Sequence, residues 1–64
     1  MEEEEEKVIN KIIKCLKNGE KTIKEIADEV EVSRITVTKY LHYLLGKRIV
    51  EYREVGRAKL FRLK

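Results

Sequence analysis

The stretch that most constrains this chain is Thr22–Leu45, TIKEIADEVEVSRITVTKYLHYLL. It holds two apolar stripes of helical spacing, Ile23-Ile26-Ala27-Val30 and Val37-Leu41-Leu44, separated by only Glu31-Val32-Ser33. Two short helices joined by so tight a turn must cross immediately and bury their inner faces on one another. The local signals agree. Thr22 and Glu25 form a T-x-x-E capping box that opens the first helix, because the hydroxyl and the carboxylate each satisfy an otherwise unpaired backbone N–H. Ala27 permits close approach of the next helix, Val32 is predicted to be a buried plug, and Ser33 is the N-cap of a helix over 33–45 ending at Gly46 as its C′ residue.

The outer face of that second helix is unusual for this chain. Ile35, Lys39 and His42 point away from the apolar stripe, flanked by Arg34 and Thr38, with Tyr40 beside the stripe. From Ser33 to Arg48 there is no acidic residue, although the chain has 11 glutamates. Charge segregates by half. Residues 1–32 carry six lysines against ten acids, or −4; residues 33–64 carry nine lysines and arginines against Glu51 and Glu54, or +7. A positive half opposite an acidic end is what a phosphate-facing surface produces.

Before this pair, a helix is predicted from about Glu4 to Lys17, stopping at Asn18-Gly19. Val8, Ile9, Ile12, Ile13, Cys15 and Leu16 span an arc of roughly 160°, wider than the ~100° one packing face requires. Two uses of the Val8, Ile12 and Cys15 edge stay open: a homodimer contact through this helix, or further core. Cys15 reads as a small buried hydrophobe. The acidic run at residues 1–6 reads as a solvated, frayed start favoured by the helix dipole, or as an arm that repels DNA or meets a basic partner. Lys21 to Ile23 reads as a short extended connector.

After the pair, residues 49–63 read as a β-hairpin, Ile49–Glu54 and Ala58–Leu63 around a Val55-Gly56-Arg57 turn. Alternation puts Phe61 and Leu63 on one face and Arg62 on the other. A lone hairpin is marginal in water, so this one must lie on the helices.

Sixty-four residues allow a single domain, 1–64, with a small core and no room for an ordinary enzyme cleft, so no catalytic residue is expected. One cysteine excludes an internal disulfide and an all-protein thiolate metal site, and no cofactor or small-molecule ligand is expected. With no apolar run long enough to span a membrane and no leader pattern, a cytoplasmic protein is expected. The Lys- and Glu-rich, Gln-free composition points to a thermophile, although the absence of proline runs the other way.

Helix, helix, turn, helix and basic hairpin together resemble the winged helix-turn-helix domains of prokaryotic, in particular archaeal, transcription regulators of the broad MarR-like and ArsR-like group. The residues carrying the resemblance are Ile26-Ala27, Val32-Ser33, the string Ser33-Arg34-Ile35-Thr36-Val37-Thr38-Lys39-Tyr40-Leu41, then Leu44, Gly46, Ile49-Val50 and Arg53 to Leu63. It implies an α+β fold, a three-helix bundle followed by a two-stranded wing, binding double-stranded DNA to regulate transcription. Family geometry would put the 33–45 helix in the major groove, with Ser33, Arg34, Ile35, Thr38, Lys39 and His42 nearest the base edges. Arg34 would reach a guanine and Ile35 a thymine methyl. Thr36, Tyr43, Lys47 and Arg48 would meet phosphates, Arg57 would enter or straddle a minor groove, and Arg53 and Lys59 would extend the wing's basic surface.

Plainer roles stand beside these. Thr36 and Thr38 can serve only to cap or bond backbone carbonyls, and Arg53 and Arg62 can pair with Glu51 and Glu54. The resemblance departs at two points: Glu31 occupies a turn position usually held by glycine, and the chain ends where such regulators commonly add a dimerisation helix, leaving a homodimer through the first helix, a monomer or a truncated domain. A winged-helix protein-docking module within a transcription or replication complex is the alternative function. It predicts an apolar or acidic outer face on the 33–45 helix.

Overall fold

The computed structural model describes the backbone of residues 2–64 and the side chains from residue 5 onward. Three helices, α1 (Glu2–Leu16), α2 (Ile23–Val30) and α3 (Arg34–Gly46), are followed by strands β1 (Val50–Val55) and β2 (Ala58–Leu63) in one antiparallel hairpin. This is the α+β winged helix-turn-helix architecture. The frayed acidic start falls partly on Met1 and the side chains of Glu2–Glu4, which lie outside the described residues.

Each junction is set by a cap. Thr22 and Glu25 form the reciprocal capping box, with Thr22 N–H donating to Glu25 Oε1 at 2.9 Å and Glu25 N–H to Thr22 Oγ1 at 3.2 Å. At the other end of α2, Glu31 sits in the left-handed region at φ 64°, so that its own N–H and that of Val32 both reach the Ala27 carbonyl. The turn therefore keeps its usual shape with a glutamate where glycine would be unstrained. Val32 is half-buried against the core, a partial plug where a fully buried one was expected.

The end of α3 differs from expectation. Gly46 is the last helical residue and needs no positive φ; the left-handed residue is Arg48, at φ 60°. Arg48 N–H bonds Leu45 O and Ile49 N–H bonds Leu44 O, a Schellman closure two residues beyond Gly46. Ile49 is consumed by that closure, so β1 begins at Val50. The hairpin turn is also shorter than expected: Val55 pairs with Ala58, leaving the two-residue loop Gly56-Arg57, with Gly56 at φ 61° as a type II′ turn requires.

The core joins all five elements. Ile12, Ile26, Val37, Leu41 and Leu44 are fully buried, with Cys15, Leu16, Val50 and Phe61 nearly so. Ile12 and Cys15 were candidates for a dimer edge; the structure spends both inside the monomer, where α1 packs on α2 and β2. Of that edge only Val8 stays half-exposed. Cys15 is also more than a hydrophobe. Its thiol donates to Glu29 Oε2 at 2.8 Å, and Lys21 Nζ lies 3.5 Å from the same oxygen.

The wing is tied to the bundle through its second strand. Lys21 and Phe61 exchange backbone hydrogen bonds of 3.0 and 2.8 Å, so the connector before α2 acts as a one-residue third strand. Phe61 turns inward against the core and stacks on Tyr52, ring centroids 5.4 Å apart.

Candidate nucleic-acid interface

The N-terminal half of α3 is shaped by its cap. Ser33 accepts from Thr36 N–H at 3.2 Å while its hydroxyl donates to Thr36 Oγ1 at 2.9 Å, and Thr38 Oγ1 donates to the Arg34 carbonyl at 2.8 Å. Three of the candidate hydroxyls are thus engaged locally, the plainer role the sequence allowed for Thr36 and Thr38. They orient the first turn, and between them Arg34 and Ile35 project into solvent, Ile35 being 84% exposed. Lys39 and His42 continue the exposed stripe one and two turns on.

The wing meets this face. Arg34 and Thr38 of α3, Arg57, Ala58 and Lys59 of the wing, and Thr22, Ile23 and Lys24 at the start of α2 line a single open cleft. Four cations from three elements converge there. All four are exposed, and none is in an ion pair among the described residues, where the pairs are Lys21–Glu29, Arg53–Glu20 and Arg62–Glu51. Lys59 is further positioned over the Tyr52 ring, 5.0 Å from its centroid. Lys24 and Thr22 were not among the sequence candidates. The capping box showed where α2 starts, but nothing in the sequence showed that the wing tip folds back beside it.

The other candidates lie apart from the cleft. Lys39 and Tyr43 border a second groove with Tyr40, Ile9, Glu5 and Glu6, so the acidic start of α1 flanks one side of the α3 face. Lys39 and Lys47 rest over the rings of Tyr40 and Tyr43 at 5.6 and 5.7 Å. Lys47 and Arg48 are exposed at the far end of α3. Arg53 is held by Glu20 through two hydrogen bonds, 2.8 and 3.0 Å, rather than by Glu54. Its guanidinium holds the Glu20 carboxyl below the usual range, and Glu20 in turn raises Arg53. Arg62 pairs with Glu51 at 2.6 Å, as the cross-strand register allows.

Little in this arrangement suits a reaction. Burial, then the Glu29 carboxylate, pushes the Cys15 thiol up to about 12, far from a nucleophile's range. No group of three or more His, Cys, Asp or Glu residues able to hold a metal occurs among the described residues, and no helix among them is long and apolar enough to cross a membrane.

Comparison with known proteins agrees with this geometry. The family model of the helix-turn-helix domain of resolvase matches residues 2–44, the three helices without the wing. No curated protein matches the sequence. Among the solved structures that match, two cover most of the chain. One is the homodimeric winged helix-turn-helix DNA-binding domain of a possible ArsR-family transcriptional regulator from Mycobacterium bovis, with TM-score 0.84 and 25% identity. The match covers 88% of this chain and 52% of that fragment, so the chain spans about half its length. The other is the Zalpha domain of Carassius auratus PKZ in complex with Z-DNA, with TM-score 0.84 and 26% identity, covering 94% of this chain and 97% of that one.

Proposed function

The chain belongs to the family of resolvase helix-turn-helix domains, and from that premise we propose that it binds duplex DNA as a sequence-specific transcription regulator. The observation that carries this reading is the cleft in which Lys24, Arg34, Arg57 and Lys59 converge, opening beside the acid-free outer face of α3. Cations fixed on three rigid elements suit a phosphate backbone, and the exposed stripe of α3 is what such a backbone would bring against base edges.

In this reading α3 lies in the major groove. Arg34, Ile35, Lys39 and His42 are its base-facing side chains, and Ser33, Thr36 and Thr38 hold the first turn in position. Arg57 and Lys59 contact backbone or minor groove from the wing. Lys24 adds a phosphate contact from α2, and Tyr43, Lys47 and Arg48 extend the contact at the far end of α3. Arg53 supports the wing through Glu20 and reaches DNA only by exchanging that partner. The DNA-binding neighbours in Mycobacterium bovis and Carassius auratus support the ligand class, and the former supports an ArsR-like regulatory role. Its homodimer also motivates a dimer here; the apolar surface α1 has left for one is the half-buried Val8, Ile9 and Ile13. The Lys- and Glu-rich composition supports a thermophilic, archaeal source.

The test is binding of the chain and of Arg34→Ala/Arg57→Ala to a fluorescent random-sequence duplex, to a left-handed dC–dG repeat, and to duplexes enriched by selection. The reading expects right-handed duplex binding, a loss of about tenfold or more in the variant, and enrichment of a common sequence. Preference for the left-handed repeat would replace groove reading with shape recognition. Absence of binding to every duplex at low salt would refute the reading.

A further inference from the structure

Ile35 is the most exposed large apolar side chain among the described residues, at 84%. The others in that class run from 40% to 52%, and most have an intramolecular role: Tyr43 lies under Lys47, Tyr52 stacks on Phe61 under Lys59, and Ile49 closes the end of α3. Ile35 has none of these. Helix propensity does not explain it, since an exposed helical site is better served by the lysine and glutamate that fill most of the described exposed positions of α1 and α2. A β-branched side chain in a helix is held almost entirely in one χ1 rotamer, so Ile35 is a rigid apolar knob that loses little freedom on contact. It stands in the first turn of α3, next to Arg34 in the cationic cleft and one turn before Lys39. A dry apolar partner would strand those cations without counter-charges. A surface that is anionic at its edges and carries isolated methyl groups in its floor would not. The major groove of thymine-containing DNA has that pattern.

We propose that Ile35 is a specificity-determining residue that reads the C5-methyl group of a pyrimidine in the major groove. The proposal rests on the DNA-binding reading above and adds to it the chemical group recognised, which thymine and 5-methylcytosine share and which uracil and cytosine lack.

The experiment is a two-by-two cycle. The full chain and Ile35→Ala are each titrated onto a duplex selected from a random pool by the parent, and onto the same duplex with thymine replaced by deoxyuridine. That exchange removes only the methyl groups. The parent is expected to prefer the thymine duplex by about fourfold for each methyl contacted. Ile35→Ala is expected to bind both alike, Ile35→Val to keep most of the preference, and 5-methylcytosine opposite guanine at the responsive position to recover the methyl's share. Ile35 is exposed, so the variants keep the parent's fold, which circular dichroism checks. Equal parental binding to both duplexes overturns the proposal while leaving DNA binding intact. So does an Ile35→Ala variant that keeps the thymine preference. Failure of the parent to bind either duplex at low salt overturns the proposal together with the reading beneath it.

Discussion

Glu20 and Arg53 are 33 residues apart in the chain and meet in a two-pronged ion pair, Arg53 Nε and Nη2 donating to the two carboxylate oxygens at 2.8 and 3.0 Å. With the Lys21–Phe61 backbone pair one residue away, this contact ties β1 and β2 to the same connector. The wing tip, which carries Arg57 and Lys59 to the cleft, is thereby aimed before any ligand arrives. Because an exposed pair adds little to global stability, Glu20→Gln is expected to leave the melting temperature nearly unchanged. It should raise hydrogen exchange at the Lys21 and Phe61 amides and weaken duplex binding. Unchanged exchange at both amides would show that the pair does not position the wing.

The same pair sets an acid dependence. Arg53 holds the folded-state Glu20 carboxyl below its ordinary 4.5, and the Thr22 N–H does the same for Glu25. A depressed folded value gives stability that is present above the unfolded value and lost as pH falls through the folded one. Both carboxylates are solvent-accessible and screened, so thermal melts should be flat just above pH 4.5 and fall only slightly below it on their account. Glu20→Gln and Glu25→Gln should each flatten part of that fall.

Glu31 predicts a stabilised variant. Its φ of 64° is one that glycine adopts without a Cβ penalty. Glu31→Gly is expected to gain about 0.5–1 kcal/mol by urea titration, the relieved strain partly offset by a looser unfolded chain. A loss of stability would mean that the side chain contributes more than its backbone costs.

Ile12 separates core from interface. At 0% exposure inside the monomer, Ile12→Ala should cost about 2–5 kcal/mol, much of what a domain this size has. The loss should be the same at every protein concentration. A loss confined to high concentration would restore Ile12 to a subunit contact.

Cys15 should be inert. With its thiol pushed up to about 12 by burial and by Glu29, labelling with a thiol reagent at neutral pH should require unfolding. Its folded value lies above the ordinary 9.0, so its contribution to stability is complete below pH 9 and declines as pH rises toward 12. Cys15→Ala should remove that alkaline decline. Rapid labelling of the native protein would contradict the burial.

What the sequence revealed follows the range of each interaction. The Thr22–Glu25 box, the Ser33 cap and the Val37, Leu41, Leu44 stripe depend on residues three to seven apart, and each is where periodicity and capping chemistry placed it. Gly46 misled because glycine's preference for the left-handed C′ position is only a tendency; closure by the Leu44 and Leu45 carbonyls put that conformation on Arg48. The width of the α1 stripe was visible, but not that α1, packed on α2 and β2, would bury Ile12 and Cys15 within the monomer. Likewise, Arg34 was legible as an outward cation. Its meeting with Lys24 and Arg57 depends on how far the wing folds back, and no local pattern encodes that.

The central claim is that the cationic cleft and α3 hold duplex DNA by its phosphates, and the most direct test is the salt dependence of binding to a random-sequence duplex. With about five phosphate contacts, log K should fall against log salt with a slope of roughly −4 to −5, and Lys24→Ala/Lys59→Ala should make it shallower by about 2. A slope near zero, or one that the double substitution leaves unchanged, would contradict the account.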